Sequence, residues 1–145
     1  MIINSTISLP GDKSISHRSI MLASIASGVS CITNLNDGED LQSTIKAMQS
    51  CGVSIQKEGD TILVKGSTLE NPIKPIDCGN SGTTSRLLAG LLSSQHLSFS
   101  LIGDISLSKR PMNRVIKPLT EMGCMIRSND GLLPIHIDAS SGLEK

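Results

Sequence analysis

Leu9-Pro10-Gly11-Asp12-Lys13-Ser14-Ile15-Ser16-His17-Arg18 places a turn, a lysine, two hydroxyls and an arginine just ahead of an apolar run, and the fold is read outward from it. Pro10-Gly11 ends the extended segment before it. Asp12 or Ser14 can then accept from an otherwise unpaired backbone N–H and open a helix over 14–27, which Gly28 stops. A helix start carries free N–H groups and a partial positive charge, and Lys13, Ser14 and Ser16 point there too. Arg18, one turn on, can close on the same anion. Alone, the stretch reads just as readily as a solvated first turn. It is not a Walker A loop: Asp12, not glycine, precedes Lys13, and Ile7 stands where that motif needs its first glycine.

On either side of this stretch the hydrophobic pattern alternates between strand and helix. A strand is expected over 3–9, leading into the turn. After Gly28, β-branched residues over 29–35 predict a strand, which Asn36-Asp37-Gly38 ends. Leu41, Ile45 and Met48 then lie at helical spacing over 39–51, with Gly52 as the stop. Segments 53–55 and 61–64 form a hairpin around Glu58-Gly59-Asp60. The order so far is β-α-β-α-β-β.

A polar, proline-containing connection over 66–75 follows, and the order begins again. Cys78-Gly79-Asn80-Ser81-Gly82-Thr83-Thr84-Ser85-Arg86 is a glycine-rich turn into an apolar helix over 87–92, followed by a strand over 97–102 and the turn Gly103-Asp104. Pro111 is expected in the first turn of a fourth helix carrying Val115, Ile116, Leu119 and Met122 up to Gly123. A second hairpin joins 125–126 to 133–137 around Asn129-Asp130-Gly131. The two halves superpose with a period of about 70 residues: Arg18 matches Arg86 and Gly52-Val53-Ser54-Ile55 matches Gly123-Cys124-Met125-Ile126.

Duplication puts two glycine-rich helix starts, each followed by an arginine, at equivalent positions, so two anion-binding ends can face one cleft. Gly79 and Gly82 let a ligand approach the backbone, and Asn80, Ser81 and Thr83 offer short polar side chains. Lys109-Arg110-Pro111-Met112 adds a third cationic point ahead of a helix start. Gly-Asn-Ser-Gly and a basic pair before proline are also ordinary surface features when taken singly.

Composition narrows the function. The chain has 145 residues, enough for one domain or part of a larger one, and its thirteen basic residues balance thirteen acidic ones, so no global field recruits nucleic acid or an anionic membrane. Phe99 is the only aromatic side chain, which argues against a base-stacking surface. Cys31, Cys51, Cys78 and Cys124 are widely spaced, form no C-x-x-C pair, and read as small buried hydrophobes rather than metal ligands. Neither a secretory leader nor an apolar run long enough to span a bilayer is apparent, so a reducing, cytoplasmic location is expected.

Together, Leu-Pro-Gly-Asp-Lys-Ser-Ile-Ser-His-Arg (9–18), Asp-Cys-Gly-Asn-Ser-Gly-Thr-Thr-Ser-Arg (77–86) and Gly-Asp-Ile-Ser-Leu-Ser-Lys-Arg-Pro-Met (103–112) resemble the 5-enolpyruvylshikimate-3-phosphate synthase family. The resemblance implies an α/β (α+β) fold of repeated β-α-β-α-β-β units, the inverse barrel of the enolpyruvyl transferases, with about two of six repeats present here. Residues 1–12 would be a first strand and turn belonging to the second domain, 13–72 a first repeat and 73–145 a second. It also implies transfer of the enolpyruvyl group from phosphoenolpyruvate to the 5-hydroxyl of shikimate 3-phosphate, on the route to chorismate and aromatic amino acids. Carried over, Lys13 touches both substrates, Ser14 and Arg18 hold shikimate 3-phosphate, and Asn80, Gly82, Thr83, Arg86 and Arg110 line the phosphoenolpyruvate side. Lys13 and Arg110 are the candidate catalytic residues.

No metal or cofactor is implied. The partners are two small molecules, with no nucleic acid and no membrane, and the full-length enzyme would be a monomer. Glycine at 82 goes with sensitivity to glyphosate, which occupies the phosphoenolpyruvate site. Leu87 stands where many relatives carry proline. The family's acidic catalytic residues would lie beyond Lys145, so a gene fragment or truncated form is expected: a substrate-binding half-lobe without turnover of its own. Two alternatives remain. A UDP-N-acetylglucosamine enolpyruvyl transferase would place a cysteine in the loop before Arg110, where none occurs; a non-catalytic phosphometabolite-binding module would keep the anion sites alone.

Overall fold

The computed structural model describes residues 9–143. Except for Leu9, the strand expected over 3–9 lies outside the described residues. Asp12 is the residue that opens the first helix, α1 (Lys13–Ile25): its Oδ1 accepts from Ile15 N–H at 2.7 Å, an N-cap worth about 1 kcal/mol. Ser14 is thereby left free for Arg18. The helix ends two residues earlier than its expected bound, and Gly28 follows at φ +89°, a conformation that favours glycine.

Strand β1 (Val29–Thr33), helix α2 (Glu39–Ser50) and the hairpin β2 (Ser54–Glu58) and β3 (Thr61–Lys65) follow. They form an antiparallel sheet in the order β1-β3-β2, with Cys31 opposite Leu63 and Ile55 opposite Val64. A second sheet takes the rest of the chain. It consists of β4 (Ile76–Asp77), β5 (Ser98–Ile102), β6 (Met125–Asn129) and β7 (Leu132–Asp138), ordered β4-β5-β7-β6 and antiparallel except for the parallel β4–β5 pair. Strand β4 is two residues long and lies between the polar connection over 66–75 and the glycine-rich turn from Cys78, where the sequence reading placed no element. Helices α3 (Gly82–Ser94) and α4 (Asn113–Glu121) complete the second half.

Two element bounds differ from the sequence reading for local reasons. Helix α3 begins at Gly82, five residues before its apolar run, because the Ser81 side chain accepts from Thr84 N–H at 3.1 Å and caps it there. Helix α4 begins at Asn113, so Pro111 precedes it rather than sitting in its first turn; a short 3₁₀ turn at Leu107–Lys109 uses up the intervening chain. Met122 falls at the end of α4 and is largely exposed, whereas Leu119 is buried.

Helices α1, α2 and α3 pack on one another, and the sheets pack against them. Ile20, Leu41, Met48, Leu88 and Leu92 from these helices meet Val64, Leu101, Ile135 and Ile137 from the strands in one continuous core. Truncating any of these to alanine costs about 2–5 kcal/mol. Cys51, Cys78 and Cys124 join this core as expected, but Cys31 is exposed: it lies on the outward side of β1, where strand alternation leaves it uncovered. Mutual packing of the helices brings their N-termini to one end of the molecule, and this positions the candidate site.

Candidate functional site

Lys13, the first residue of α1, ion-pairs with the Asp40 carboxylate in the first turn of α2. Asp40 also faces α3, since its carbonyl accepts from the Thr84 hydroxyl at 3.3 Å. Three helix starts are thus linked through Asp40, by its carboxylate to α1 and by its carbonyl to α3. Each contributes unpaired N–H groups and a positive dipole end.

On the α1 side, Arg18 folds back over its own first turn, with Nη1 donating to the Ser14 carbonyl at 3.1 Å and to the Ser14 hydroxyl. Both residues are exposed. Two turns hold this end of the chain: Ser16 donates to the Asp12 carbonyl at 2.7 Å and accepts from Asn36 N–H at 2.9 Å. The Asn36 amide donates to the Gly11 carbonyl at 3.3 Å. Gly11 itself lies against the Asn34 carbonyl, where no Cβ would fit.

On the α3 side, Asn80 and Arg110 meet directly: Arg110 Nη2 donates to Asn80 Oδ1 at 2.6 Å and to Ser106 Oγ at 3.3 Å. Asn80 in turn donates to Asp104 Oδ2 at 2.7 Å, and Asp104 Oδ1 accepts from Leu107 N–H at 2.7 Å. Those bonds, the Leu107 N–H first and the Asn80 amide next, hold the Asp104 carboxyl below its ordinary value of 3.8. Arg86 donates to the Gly82 carbonyl at 3.3 Å and to the Pro111 carbonyl at 3.4 Å. A Cβ built on Gly82 would meet Arg86 Nη1 at 2.7 Å and Arg110 Nη1 at 3.5 Å, so this backbone is the floor beneath both guanidinium groups.

Of the residues picked from the sequence, Arg110 bonds Asn80 while Arg86 and Arg110 both come over Gly82, Ser14 and Arg18 form a second pair, and Lys13 connects to the α3 start through Asp40 and Thr84. Thr83 sits half-buried in the first turn of α3. Ser81 differs from its expected part: it is fully buried and turned inward as the α3 cap. Arg110 precedes the fourth helix, as expected, but its guanidinium turns to Asn80, ahead of α3, and to Ser106 rather than to the α4 start. Sequence reading passed over Asp40 and Asp104. For Asp104 the available signal was its place at the head of the stretch that ends in Lys109-Arg110; Asp40, in the first turn of a helix with no basic residue beside it, carried none.

The cationic end is open surface. A cleft of about 530 Å³ lies between α2 and β4, lined by Glu39, Ser43, Lys46, Asp77 and Gly79 among others; Gly79 is in it, but Lys13, Arg18, Arg86 and Arg110 are not. Among the described residues no group of His, Cys, Asp and Glu is placed to hold a metal ion, and no helix is long and apolar enough to cross a membrane.

Fold and site define a class: a repeat-built α/β protein that gathers cationic helix starts from successive units at one end. The family model for EPSP synthase (3-phosphoshikimate 1-carboxyvinyltransferase) matches residues 2–145, and the chain belongs to that family. It is 51% identical over 144 residues to the 3-phosphoshikimate 1-carboxyvinyltransferase of Ruthia magnifica subsp. Calyptogena magnifica, an alignment covering 97% of this chain and 33% of that relative. The enzyme of the same name from Oceanobacillus iheyensis is 49% identical over 144 residues, covering 96% and 34%. Among solved structures, EPSP synthase from Acinetobacter baumannii superposes with a TM-score of 0.85 at 42% identity, covering 91% of this chain and 31% of that one. The chain thus spans about a third of the length of the relatives it matches.

Proposed function

We propose that this chain supplies the cationic side of an active site that transfers the enolpyruvyl group of phosphoenolpyruvate to the 5-hydroxyl of shikimate 3-phosphate, releasing phosphate. The observation that carries this reading is the cluster of Arg86 and Arg110 over Gly82, tied through Asp40 to Lys13. Both substrates are polyanions, and holding them side by side requires fixed cations to offset their repulsion. Asn80, Gly82, Thr83, Arg86 and Arg110 take the phosphoenolpyruvate side, Ser14 and Arg18 hold shikimate 3-phosphate, and Lys13 reaches both.

The chemistry is addition followed by elimination. A proton is added to the methylene carbon, C2 gains cationic character, and the 5-hydroxyl attacks C2 and loses its proton; the new methyl group then gives up a proton as the C–O bond to phosphate breaks, which restores the double bond. Arg110 and Lys13 neutralise charge on the departing phosphate, and Lys13 is this chain's candidate for moving a proton. Acidic groups that complete the proton transfers belong to the remaining length of the enzyme. In this reading 13–72 and 73–145 are consecutive repeats of one lobe and 1–12 joins the other. The full-length enzyme is a cytoplasmic monomer that needs no cofactor and no nucleic-acid or membrane partner. Balanced charge and a single aromatic residue support the lack of a nucleic-acid or anionic-membrane partner.

A second reading, a phosphometabolite-binding module without catalysis, is favoured by the coverage of about a third of each relative. Calorimetric titration of shikimate 3-phosphate and of phosphoenolpyruvate into the chain, followed by a phosphate-release assay, tests both. Binding without release supports the chain as a substrate-holding part. Loss of binding in Arg110→Ala and Lys13→Ala assigns it to the cationic end, and no binding of either compound defeats both readings.

A further inference from the structure

Beneath the cationic end, four polar side chains are buried in the apolar core: His17, Thr44, Ser81 and Thr84. Such groups are costly unless partnered, and these partner each other across three helices. His17 Nδ1 on α1 is 2.7 Å from Thr44 Oγ1 on α2, which is 2.8 Å from Thr84 Oγ1 on α3. The Thr84 hydroxyl donates to Ser81 Oγ at 2.8 Å. Each hydroxyl has one proton to give. With the Thr84 proton directed to Ser81 Oγ, or to the Asp40 carbonyl at 3.3 Å, Thr44 must donate to Thr84, and the imidazole must donate to Thr44 through Nδ1–H. Nε2 then carries the lone pair, and it is the one buried side-chain nitrogen or oxygen among the described residues without a partner.

Resting on the substrate-holding role proposed above for its consequence but not for its geometry, we propose that His17 is a positioning residue. As the neutral Nδ1–H tautomer it aligns, through Thr44 and Thr84, the Ser81-Gly82 start of α3 with the Lys13 start of α1. One imidazole then sets the separation between anion-facing loops of two successive units. Protonation at Nε2 would bury a charged N–H with no acceptor. Burial accordingly holds the imidazole pKa below 6.5, and Lys13 and Arg18 on its own helix push the same way against Asp40 on α2.

Asparagine and glutamine at 17 separate positioning from packing. His17→Asn keeps an amide N–H near the Nδ1 position, whereas His17→Gln carries it out toward Nε2. In the 145-residue chain, nitrogen-15 spectra should show the Nδ1–H tautomer at neutral pH. Titrated with phosphoenolpyruvate, His17→Asn should bind within about twofold of the parent and His17→Gln about tenfold more weakly, the loss of one buried hydrogen bond. Thr84→Val, which breaks the line from its other end with little change of volume, should match His17→Gln and serves if that variant does not fold. An Nε2–H tautomer, or unweakened binding in both His17→Gln and Thr84→Val, overturns the proposal. If the parent binds neither phosphoenolpyruvate nor shikimate 3-phosphate, the proposed function fails instead. Positioning is then judged on the Gly82 and Thr83 amide resonances, which must move in Thr84→Val and hold in His17→Asn; any other pattern rejects it.

Discussion

Lys13 and Asp40 form an ion pair across the α1–α2 contact, so the lysine proposed to reach both substrates is already countered by a carboxylate. Lys13 is 55% exposed and the pair is therefore worth no more than about 1 kcal/mol to folding. Asp40→Asn should lower stability by less than that while removing a competitor for Lys13. Phosphoenolpyruvate should bind about threefold more tightly at low salt, and the gain should fade at high ionic strength as screening takes over. Calorimetry at two salt concentrations checks this; weaker binding at low salt would mean that Asp40 aims Lys13 instead of competing for it.

Asp104 holds Asn80, and Asn80 holds Arg110, so a carboxylate that touches no ligand orients a guanidinium that does in the proposed function. Asp104→Ala should release that guanidinium and weaken phosphoenolpyruvate binding about tenfold, by analogy with the loss of one charge-assisted hydrogen bond. Because the folded-state pKa is lowered, the carboxylate's contribution to stability is present above its ordinary value of 3.8 and disappears only as pH falls through the lower folded value. Carbon-13 titration of the Asp104 carboxyl would show a midpoint below 3.8 in the parent and a smaller depression in Asn80→Ala, where the Leu107 N–H still holds it down.

Much of this was legible because the signals were local. Gly28, Gly52 and Gly123 end helices or turns at φ +89°, +90° and +97°, and a residue that alone tolerates such angles marks an element boundary whatever packs around it. Paired motifs gave the repeat, though not the separate sheets into which its strands fall. What stayed hidden depends on approach in space. Nothing in the neighbourhood of Asp40 announces Lys13, and the inward turn of Ser81 follows from its capping of α3, which the apolar run beginning at Leu87 obscured. The two-residue strand β4 exists because β5 offers it a parallel edge, which its own composition does not reveal.

Gly82 lies under two arginines, and a methyl there meets the mobile end of Arg86 rather than backbone. Gly82→Ala should fold normally, with Arg86 swinging aside. Since the displaced group belongs to the proposed phosphoenolpyruvate side, affinity for that substrate should fall about fivefold, the effect of one weakened charge-assisted contact. Glyphosate, the longer molecule, should lose more. Parallel titrations of both compounds decide it, and equal losses would place the new methyl away from the inhibitor's extra length.

His17 also makes stability depend on pH in a direction that can be worked out. Its imidazole is fully buried, and burial, with Lys13 and Arg18 assisting and Asp40 opposing, lowers the folded-state pKa from 6.5. Between the lowered folded value and 6.5 the unfolded chain therefore binds a proton that the folded chain refuses, so acid favours unfolding there. The stabilising effect of a neutral His17 is complete above about pH 6.5. It declines as pH falls through that value and levels off once the folded chain also accepts the proton. One group limits the slope to about 1.4 kcal/mol per pH unit. Urea unfolding of the parent from pH 8 to pH 5 should show that decline, and His17→Asn, which keeps the Thr44 bond without a titrating group, should remove it. A parent and variant that lose stability in parallel over this range would mean that the proton is taken up elsewhere.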